Sequence, residues 1–372
     1  MTKKETTTER MRRITQAVAL ETPDRVPVVL EYCAFAARLT DTPQSEFLLS
    51  MDRAVAVMIE AFQIVSENTP ADAINYGNFS PYMLSNIWLS KIKVPGVDLP
   101  ENVSYQVDET ELMTADDYDT ILDKGWPTFY REFQDTRVLN DVPTQYWPRN
   151  QHKPDVIGSW QKIGIPVLSG GDVAPPFEYL CGARSLENFF LDLMTCPEKL
   201  DEVMAHMMPY LYESTCKSVK RQGFPCVWVG GWRSAPEMLS PDMWERFVWQ
   251  YLRALIEEVI EQGLIPILHL DSCWDRELAR FRELPKGKVI MALDGKTDIF
   301  RAREILNDHI CLMGDVPSVM LFNSTPDDVY EYCSRLIRQV GREGFILQSG
   351  CDIPENAKLE NVQAMISAAY DS

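Results

Sequence analysis

Short apolar runs alternate with longer amphipathic segments along most of this chain. Eight runs are apolar for several consecutive positions and rich in β-branched residues, a pattern typical of parallel strands that are covered on both faces. They are RVPVVLEY (25–32), ADAINYGN (71–78), GIPVLSGGD (164–172), FPCVWVGGW (224–232), LIPILHLDS (264–272), KVIMALDG (288–295), HICLMGDVP (309–317) and GFILQSGCD (344–352).

The segments between these runs carry the signals of helix ends. Residues 240–263 and 325–344 each open on Ser or Thr with acidic residues in the first turn and close at Gly. Asp298 opens a shorter helix, and a further one is predicted over 197–221. Eight strands that alternate with helices predict an α/β fold, a single closed (β/α)8 TIM barrel. An open doubly wound sheet is the alternative, but no G-x-G-x-x-G turn follows the first run.

The regular alternation is interrupted once, between the second and third runs. Residues 85–160 are rich in Trp, Tyr, Pro and Asp and predict a long elaborated connection over one end of the barrel. An N-terminal extension with a polar tail (1–12) precedes the first run, and no apolar signal segment follows that tail. We find no linker or repeat, so residues 1–372 are expected to form one domain.

Composition and charge narrow the possible partners. A hydrophobic content of 45% and a charged content of 24% are those of a soluble globular protein. The net charge of −19 and the lack of a basic stripe argue against nucleic acid, and no apolar run is long enough to cross a membrane. Nine scattered cysteines are typical of reduced, mostly buried thiols, which predicts a cytoplasmic protein.

Polar residues recur where the predicted strands end. In a TIM barrel the chemistry lies at the carboxyl ends of the strands. The residues at these ends are Glu31, Tyr76, Asp172, Trp232, Arg233, His269, Asp271, Asp294, Asp315 and Cys351. Some of the aspartates, namely Asp172, Asp294 and Asp315, fit equally well as helix caps or loop formers.

Three of these residues have the chemistry of a metal site. His269 and Asp271 are two positions apart and therefore face the same side of a strand. Cys351 ends the eighth run, across the barrel from the fifth. One imidazole, one carboxylate and one thiolate with an open fourth position are typical of catalytic zinc. A hydrogen-bonded core histidine is the competing interpretation.

Two other cysteines are weaker metal ligands. Cys273 lies beyond the end of the fifth strand, and Cys311 lies about 13 Å below the tip of the seventh, so it is expected inside the barrel. Aromatic residues near the strand ends would either roof the barrel mouth or contact a flat apolar substrate. They are Phe177, Tyr179, Trp228, Trp232 and Trp274.

Several stretches resemble one enzyme superfamily. ERMRRITQAVALETPDRVPV near the start, GGDVAPPFEYLCGARSLENFF (170–190), GWRSAPEMLSPDMWERF (231–247) and GFILQSGCDIPENAKLENVQAM (344–365) are similar to the uroporphyrinogen decarboxylase superfamily, which implies a TIM barrel. True decarboxylases of that superfamily carry an Arg-rich stretch after the first strand. This chain has EYCAFAARLTDTP there, with a single arginine, and has Cys351 where they have a histidine.

The zinc-dependent corrinoid methyltransferases are a second branch, and the site motifs resemble theirs more closely. That branch holds zinc with H-x-C on the fifth strand and a G-C-G-I-P-like turn on the eighth. This chain has HLD at 269–271 and GCDIP at 350–354, so the resemblance implies His269 and Cys351 as zinc ligands and Asp271 in place of the first Cys. A carboxylate makes the metal a harder Lewis acid, which disfavours thiol substrates and favours an oxygen leaving group. Loss of metal binding is the other outcome that H-x-D leaves open.

The sequence therefore predicts a corrinoid-dependent methyltransferase of the O-demethylase type. With His269, Asp271 and Cys351 as catalytic zinc ligands, it would move a methyl group between a small methoxylated, aromatic substrate and a corrinoid protein. No corrinoid-binding D-x-H-x-x-G motif is present, so the corrinoid would be carried by a partner protein. A homodimer is compatible with this prediction. The predicted substrate-binding residues are Trp232, Arg233, Phe177, Glu178 and Asp294.

Two other enzymes and one binding protein remain as alternatives. A methylcobamide:thiol methyltransferase of the coenzyme M type would share the metal site. A metal-free decarboxylase would need positively charged side chains to bind the substrate, for which Arg233 and Arg184 are the obvious residues. A degenerate relative would bind its ligand without turnover.

Overall fold

The predicted strands form one parallel sheet in the computed structural model, which describes residues 5–371. Within that range eight strands pair in the order β1-β2-β5-β6-β7-β8-β9-β10, and β3 and β4 form a separate two-stranded ribbon. The bounds are β1 Val29–Leu30, β2 Ala73–Tyr76, β3 Lys91–Lys93, β4 Gln106–Asp108, β5 Val167–Val173, β6 Cys226–Gly231, β7 Ile265–Leu270, β8 Ile290–Leu293, β9 Cys311–Val316 and β10 Phe345–Ser349.

The sheet closes on itself between its first and last strands. Val28 forms a parallel bridge with Leu347, whose backbone N–H donates to the carbonyl of Pro27 at 2.9 Å. The interior is filled by side chains from alternating positions, among them Val29, Leu168 and Cys311. The predicted (β/α)8 barrel is therefore confirmed, and Cys311 lies in its packed interior as expected.

Helices surround this barrel, and their ends follow the sequence signals. Thr325 caps α16 (Pro326–Val340) in a capping box, Ser240 caps α12 (Pro241–Trp244), and Asp298 caps α14 (Ile299–Leu306). The helix α16 ends at Val340, before the Gly344 boundary predicted from sequence. A π-helical turn over Glu245–Trp249 joins α12 to α13 (Gln250–Glu261).

The helices are α1 Thr7–Val18, α2 Ala34–Leu39, α3 Gln44–Leu49, α4 Met51–Val65, α5 Ser85–Trp88, α6 Asp117–Lys124, α7 Trp126–Phe133, α8 Val156–Gln161, α9 Pro176–Arg184, α10 Leu186–Thr195, α11 Pro197–Gln222, α12 Pro241–Trp244, α13 Gln250–Glu261, α14 Ile299–Leu306, α15 Ser318–Asn323, α16 Pro326–Val340 and α17 Leu359–Ala368. In the described range, none of them is both long enough and apolar enough to cross a membrane.

The long connection between β2 and β5 contains the β3–β4 hairpin and the helices α5 to α8. Its buried residues, including Tyr118, Trp126 and Phe133, belong to the main hydrophobic cluster. The connection is therefore packed as part of the same core.

The N-terminal extension is anchored at the bottom of the barrel. Residues 7–12 of the predicted polar tail lie in α1, and residues 1–4 lie outside the described range. Arg13 of α1 and Arg25 both ion-pair at 2.5 Å with Asp72, which is fully buried just before β2. Two guanidinium groups compensate this buried carboxylate, so the extension is part of the folded unit.

Candidate metal centre

A layer of polar side chains caps the apolar interior of the barrel at the carboxyl ends of the strands. Glu31, Asn75, His269 and Gln348 lie two positions beyond interior residues of their own strands, and therefore on the same face. The carboxylate of Glu31 accepts hydrogen bonds from the amide of Asn75 and, at 2.8 Å, from the amide of Gln348. This layer forms the floor of the barrel mouth.

His269, Asp271 and Cys351 converge above this floor. His269 Nε2 lies 3.3 Å from Asp271 Oδ1 and 3.9 Å from Cys351 Sγ, and one donor atom from each side chain lies within 4.8 Å of the others. The ligand atoms of a tetrahedral zinc site, with zinc bonds of roughly 2.0–2.3 Å, are about 3.3–3.8 Å apart. The three side chains therefore fit a zinc ion with the fourth position left for another ligand.

The surroundings orient the histidine. His269 is buried, and its imidazole stacks on the indole of Trp228, with ring centroids 5.1 Å apart. Burial lowers the pKa of His269, but hydrogen bonds with Asp271 and Cys351 outweigh burial and hold that pKa well above its usual value. Burial raises the pKa of the Cys351 thiol, while the neighbouring His269 lowers it. Without a metal, the imidazolium is the positive partner of both acids.

Further acidic groups lie around the three ligands. Burial, together with the nearby charge of Glu31, raises the pKa of Asp352 to about 6. Asp352 accepts hydrogen bonds from the hydroxyl of Tyr76 and, at 3.4 Å, from the thiol of Cys33. In the described part of the chain, no hydrogen bond or ion pair joins Glu31, Asp271 or Asp352 to an arginine or lysine. A divalent cation would compensate this concentration of negative charge.

Two predicted substrate-binding residues are instead paired with each other beneath the surface. Arg233 is 1% exposed, forms an ion pair with Glu109 and lies 3.7 Å from the buried Glu178. Glu178 accepts a hydrogen bond from the backbone N–H of Ser234 at 2.7 Å. This arrangement fixes the loop after β6 and leaves neither charge open to the barrel mouth. Trp232 is half-buried and lies over the guanidinium of Arg233, at 4.2 Å.

The other two predicted substrate-binding residues also have structural contacts. Phe177 is fully buried and packs edge-on against Phe189, so its side chain belongs to the core. Asp294 accepts hydrogen bonds from the backbone N–H groups of Ser272 (2.9 Å) and Lys296 (2.8 Å). It therefore acts as the loop former that the sequence offered as its alternative role, beside the metal ligands. Cys273 is not among the three converging groups.

An aromatic ladder beside the metal centre was not predicted from the sequence. Tyr76 lies 6.2 Å from Phe79, and Phe79 lies 5.5 Å from Tyr105 of the β3–β4 hairpin, between ring centroids. All three are partly exposed, and Tyr76 contacts Asp352 next to Cys351. The many aromatic residues of the long connection were the sequence signal for such a cluster. Which of them lies at the barrel mouth depends on the path of the β3–β4 hairpin, and the sequence pattern does not give that path.

The chain is thus a TIM-barrel protein with a candidate metal centre of one histidine, one carboxylate and one thiol at the barrel mouth. The sequence model of the Uroporphyrinogen decarboxylase (URO-D) family matches residues 129–372, and the chain belongs to that family. The folded chain also resembles a solved methyltransferase from Methanosarcina mazei, with a TM-score of 0.67 and 15% sequence identity over 97% of this chain and 98% of that one.

Curated relatives carry the decarboxylase name. The uroporphyrinogen decarboxylase of Christiangramia forsetii is 23% identical over 218 residues, which are 56% of this chain and 60% of the relative. That of Solibacter usitatus is 29% identical over 214 residues, 54% of this chain and 58% of the relative. The alignments thus span less than two thirds of these relatives' length. The structural likeness shows that the barrel fold is shared.

Proposed function

We propose that this protein is a zinc-dependent methyltransferase that moves a methyl group between a small methoxylated aromatic compound and a corrinoid carried by a partner protein. The observation that carries the proposal is the convergence of His269, Asp271 and Cys351 within 4.8 Å at the barrel mouth. The proposed direction is demethylation of an ether, because Asp271 offers the metal a hard oxygen ligand. A site specific for thiol substrates would favour sulfur ligands instead.

His269 Nε2, an Asp271 carboxylate oxygen and Cys351 Sγ would hold the zinc. The ion would supply Lewis-acid stabilisation of negative charge on the ether oxygen. In the overall reaction the methyl group would leave the ether oxygen, which keeps the bonding electron pair. It would pass to the partner's cobalt(I) corrinoid, whose electron pair would form the new bond to carbon. The alcohol or phenol product takes up a proton. Trp228 holds the imidazole ring in place through its stacking contact.

The aromatic ladder of Tyr76, Phe79 and Tyr105 would bind the ring of the substrate. These side chains are partly exposed and offer ring faces beside the metal centre, whereas the fully buried Phe177 does not. Their position orients a flat substrate with its ether group toward the ligands. Half-buried Trp232 would contribute a further wall from the end of β6.

A decarboxylase is the second candidate, because the curated relatives carry that name. Such an enzyme would have to bind substrate carboxylates. Arg184 is buried and paired with Asp192 at 2.7 Å and with Glu111, and Arg233 is paired with Glu109. Both guanidinium groups are already neutralised by the protein's own carboxylates, which favours the methyltransferase.

Metal analysis of the purified protein tests the site. We expect about one zinc per chain, as the single three-residue ligand set within residues 5–371 requires. Zinc should be lost in both His269→Ala and Cys351→Ala. The controls are Cys273→Ala, a half-buried thiol near the site, and His152→Ala, an exposed imidazole. Zinc that persists in the two ligand variants, or that is lost equally in the controls, would contradict the proposed site.

Turnover separates the methyltransferase from the alternatives. Chemically reduced cobalamin in the cobalt(I) state serves as the methyl acceptor and 2-methoxyphenol as the donor, and the expected products are methylcobalamin and catechol. Activity should follow the zinc content across the variants. Release of carbon dioxide from aromatic or pyrrole carboxylic acids without metal would support the decarboxylase instead.

A further inference from the structure

A large cavity lies beside the barrel, apart from the metal centre. Its volume is about 1020 Å³, and it is enclosed by the end of β5, the α7 helix, the loop before α8, and α11. None of the three candidate zinc ligands lines it. This volume is at the upper end of that of known small-molecule sites.

The cavity is lined by two hydrogen-bond acceptors, a half-buried carboxylate and a buried amide oxygen. Asp172 lines it, and within the described range no ion pair and no donating side chain reaches its carboxylate. Burial raises the pKa of Asp172 to about 6, so the group is still largely ionised at neutral pH. Gln134 also lines the cavity, is 4% exposed, and has an Oε1 atom with no hydrogen-bond partner. The buried Gln134 oxygen therefore requires a donor. The half-buried Asp172 carboxylate interacts with its own backbone N–H and can accept further hydrogen bonds.

The local backbone places Asp172 at the cavity. The register between β5 and β6 shifts between Ser169 and Asp172, as at a β-bulge. Gly170 and Gly171 occupy the shifted segment, and a Cβ at Gly170 would collide with the ring of Phe224. Bulges commonly re-aim a side chain next to a functional site.

The walls of the cavity are aromatic. The ring of Trp126 lies 5.5 Å from that of Tyr130 and 5.8 Å from that of Tyr179, and all three line the cavity. The hydroxyl of Tyr130 donates to the carbonyl of Asn86, so its remaining lone pairs are acceptors as well. Aromatic faces beside a carboxylate are a favourable environment for a cation.

The rim carries the opposite charge. Arg131, Lys153 and Lys217 line the cavity from exposed positions, and none of them forms an ion pair with another described residue. Arg149 is there too, but it is paired with Asp135, and Glu213 is an acidic residue on the same rim. The cavity is thus polarised, with two acceptors in its lining and a mainly cationic rim.

We propose that this cavity binds a small amphoteric molecule, with a protonated amine at Asp172 and Gln134 and an anionic group toward Arg131, Lys153 and Lys217. The amine donates hydrogen bonds to the Asp172 carboxylate and to Gln134 Oε1, while the anionic end remains near the opening. The site is separate from the metal centre and does not depend on the proposed methyl transfer.

Calorimetric titration at neutral pH tests the site with three probes of equal chain length. These are 6-aminohexanoate, hexylamine and hexanoate. We expect saturable binding of 6-aminohexanoate, weakened roughly tenfold or more by Asp172→Asn, because a charged hydrogen-bonded pair is lost. Hexanoate should bind to the parent protein at least as weakly as 6-aminohexanoate binds to Asp172→Asn. The double variant Lys153→Gln, Lys217→Gln should weaken 6-aminohexanoate but leave hexylamine unchanged.

The matched control is Asp315→Asn, which changes a carboxylate at the end of another strand, outside the cavity. It should leave all three affinities as they are. Absence of saturable binding by 6-aminohexanoate and hexylamine, equal binding of hexanoate and 6-aminohexanoate, or an affinity that Asp172→Asn does not change would each overturn the proposal. Retained zinc in Asp172→Asn shows that the metal centre is intact, so failure here is distinct from failure of the proposed function.

Discussion

The indole of Trp228 lies against the imidazole of His269, with ring centroids 5.1 Å apart and planes inclined by 29°. Trp228 and His269 lie on adjacent paired strands, offset by two positions, since Trp228 pairs with Ile267 and Gly230 with His269. The strand pairing therefore places the indole of Trp228 against His269, a ligand of the candidate zinc site. Packing of this kind limits the orientations of a metal-binding imidazole.

Replacement of Trp228 by Leu should weaken zinc binding without abolishing it. The imidazole keeps its nitrogen but gains rotational freedom, and we expect an increase of up to about tenfold in the zinc dissociation constant, at the low end for residues that support a metal ligand. Competition with a chromophoric chelator measures this constant. Trp232→Leu, at the end of the same strand but stacked on Arg233, should leave it unchanged. Equal effects of both substitutions would assign Trp228 a general packing role.

The side chain at position 271 should determine whether the zinc centre favours an ether or a thiol as the substrate. Asp271→Asn removes a charged ligand and should weaken zinc binding by roughly 100-fold or more, beyond the effect of losing a supporting contact. Asp271→Cys should keep zinc, lower the rate of ether demethylation, and introduce methylation of a thiol by methylcobalamin, because a sulfur-rich site is a softer Lewis acid. Assays of both reactions on the metal-loaded variants check this. Unchanged demethylation in Asp271→Cys would show that residue 271 does not set the specificity.

The aromatic ladder should control substrate affinity more than the rate of reaction. Loss of one ring contact costs about 0.5–1.5 kcal/mol, so Phe79→Leu and Tyr105→Leu should each raise KM for a methoxylated aromatic substrate about two- to tenfold, with kcat little changed. Tyr146→Leu is the control, since that half-buried tyrosine lies in the same long connection without a ring contact to the ladder. Steady-state kinetics decide, and a fall in kcat at constant KM would contradict a binding role.

Asp315 should make stability depend on pH. Burial raises the pKa of Asp315 to about 6 in the folded chain, whereas a hydrogen bond from Tyr332 opposes this. The folded state therefore binds more protons than the unfolded state between about pH 4 and 6, and the stability contributed by this group is lost as pH rises through that range. Asp315→Asn cannot ionise, so its free energy of unfolding should exceed that of the parent by about 2–3 kcal/mol at pH 8 and by much less at pH 4.5.

Urea unfolding at the two pH values measures this difference. Glu67→Gln, a change at an exposed carboxylate, should show the same stability as the parent at both. An Asp315→Asn variant that is less stable than the parent at pH 8 would mean that the ionised carboxylate is stabilised by its surroundings.

Residues close in sequence were predicted better than residues that meet only in the folded chain. The eight strands, the caps at Ser240, Asp298 and Thr325, and the shared face of His269 and Asp271 were all predicted from local patterns. Each depends on backbone geometry with a fixed period or on one nearby hydrogen bond. The approach of Cys351 to His269 was predicted from the order of strands around a barrel, supported by the family resemblance.

The substrate-binding residues were predicted less well, for a physical reason. Arg233, Glu178 and Phe177 lie at strand ends or just beyond them, yet ion pairing with Glu109 and packing against Phe189 bury them. Glu109 and Tyr105 come from a connection of more than 80 residues, whose path over the barrel has no periodic signal. The sequence by itself thus determined the barrel, its polar mouth and the three candidate zinc ligands, because periodic patterns and strand order set them. Only the tertiary structure decided which charged side chains are neutralised, which aromatic rings remain exposed beside the metal centre, and that Asp172 lines a cavity. These outcomes depend on contacts between segments that are far apart in the chain.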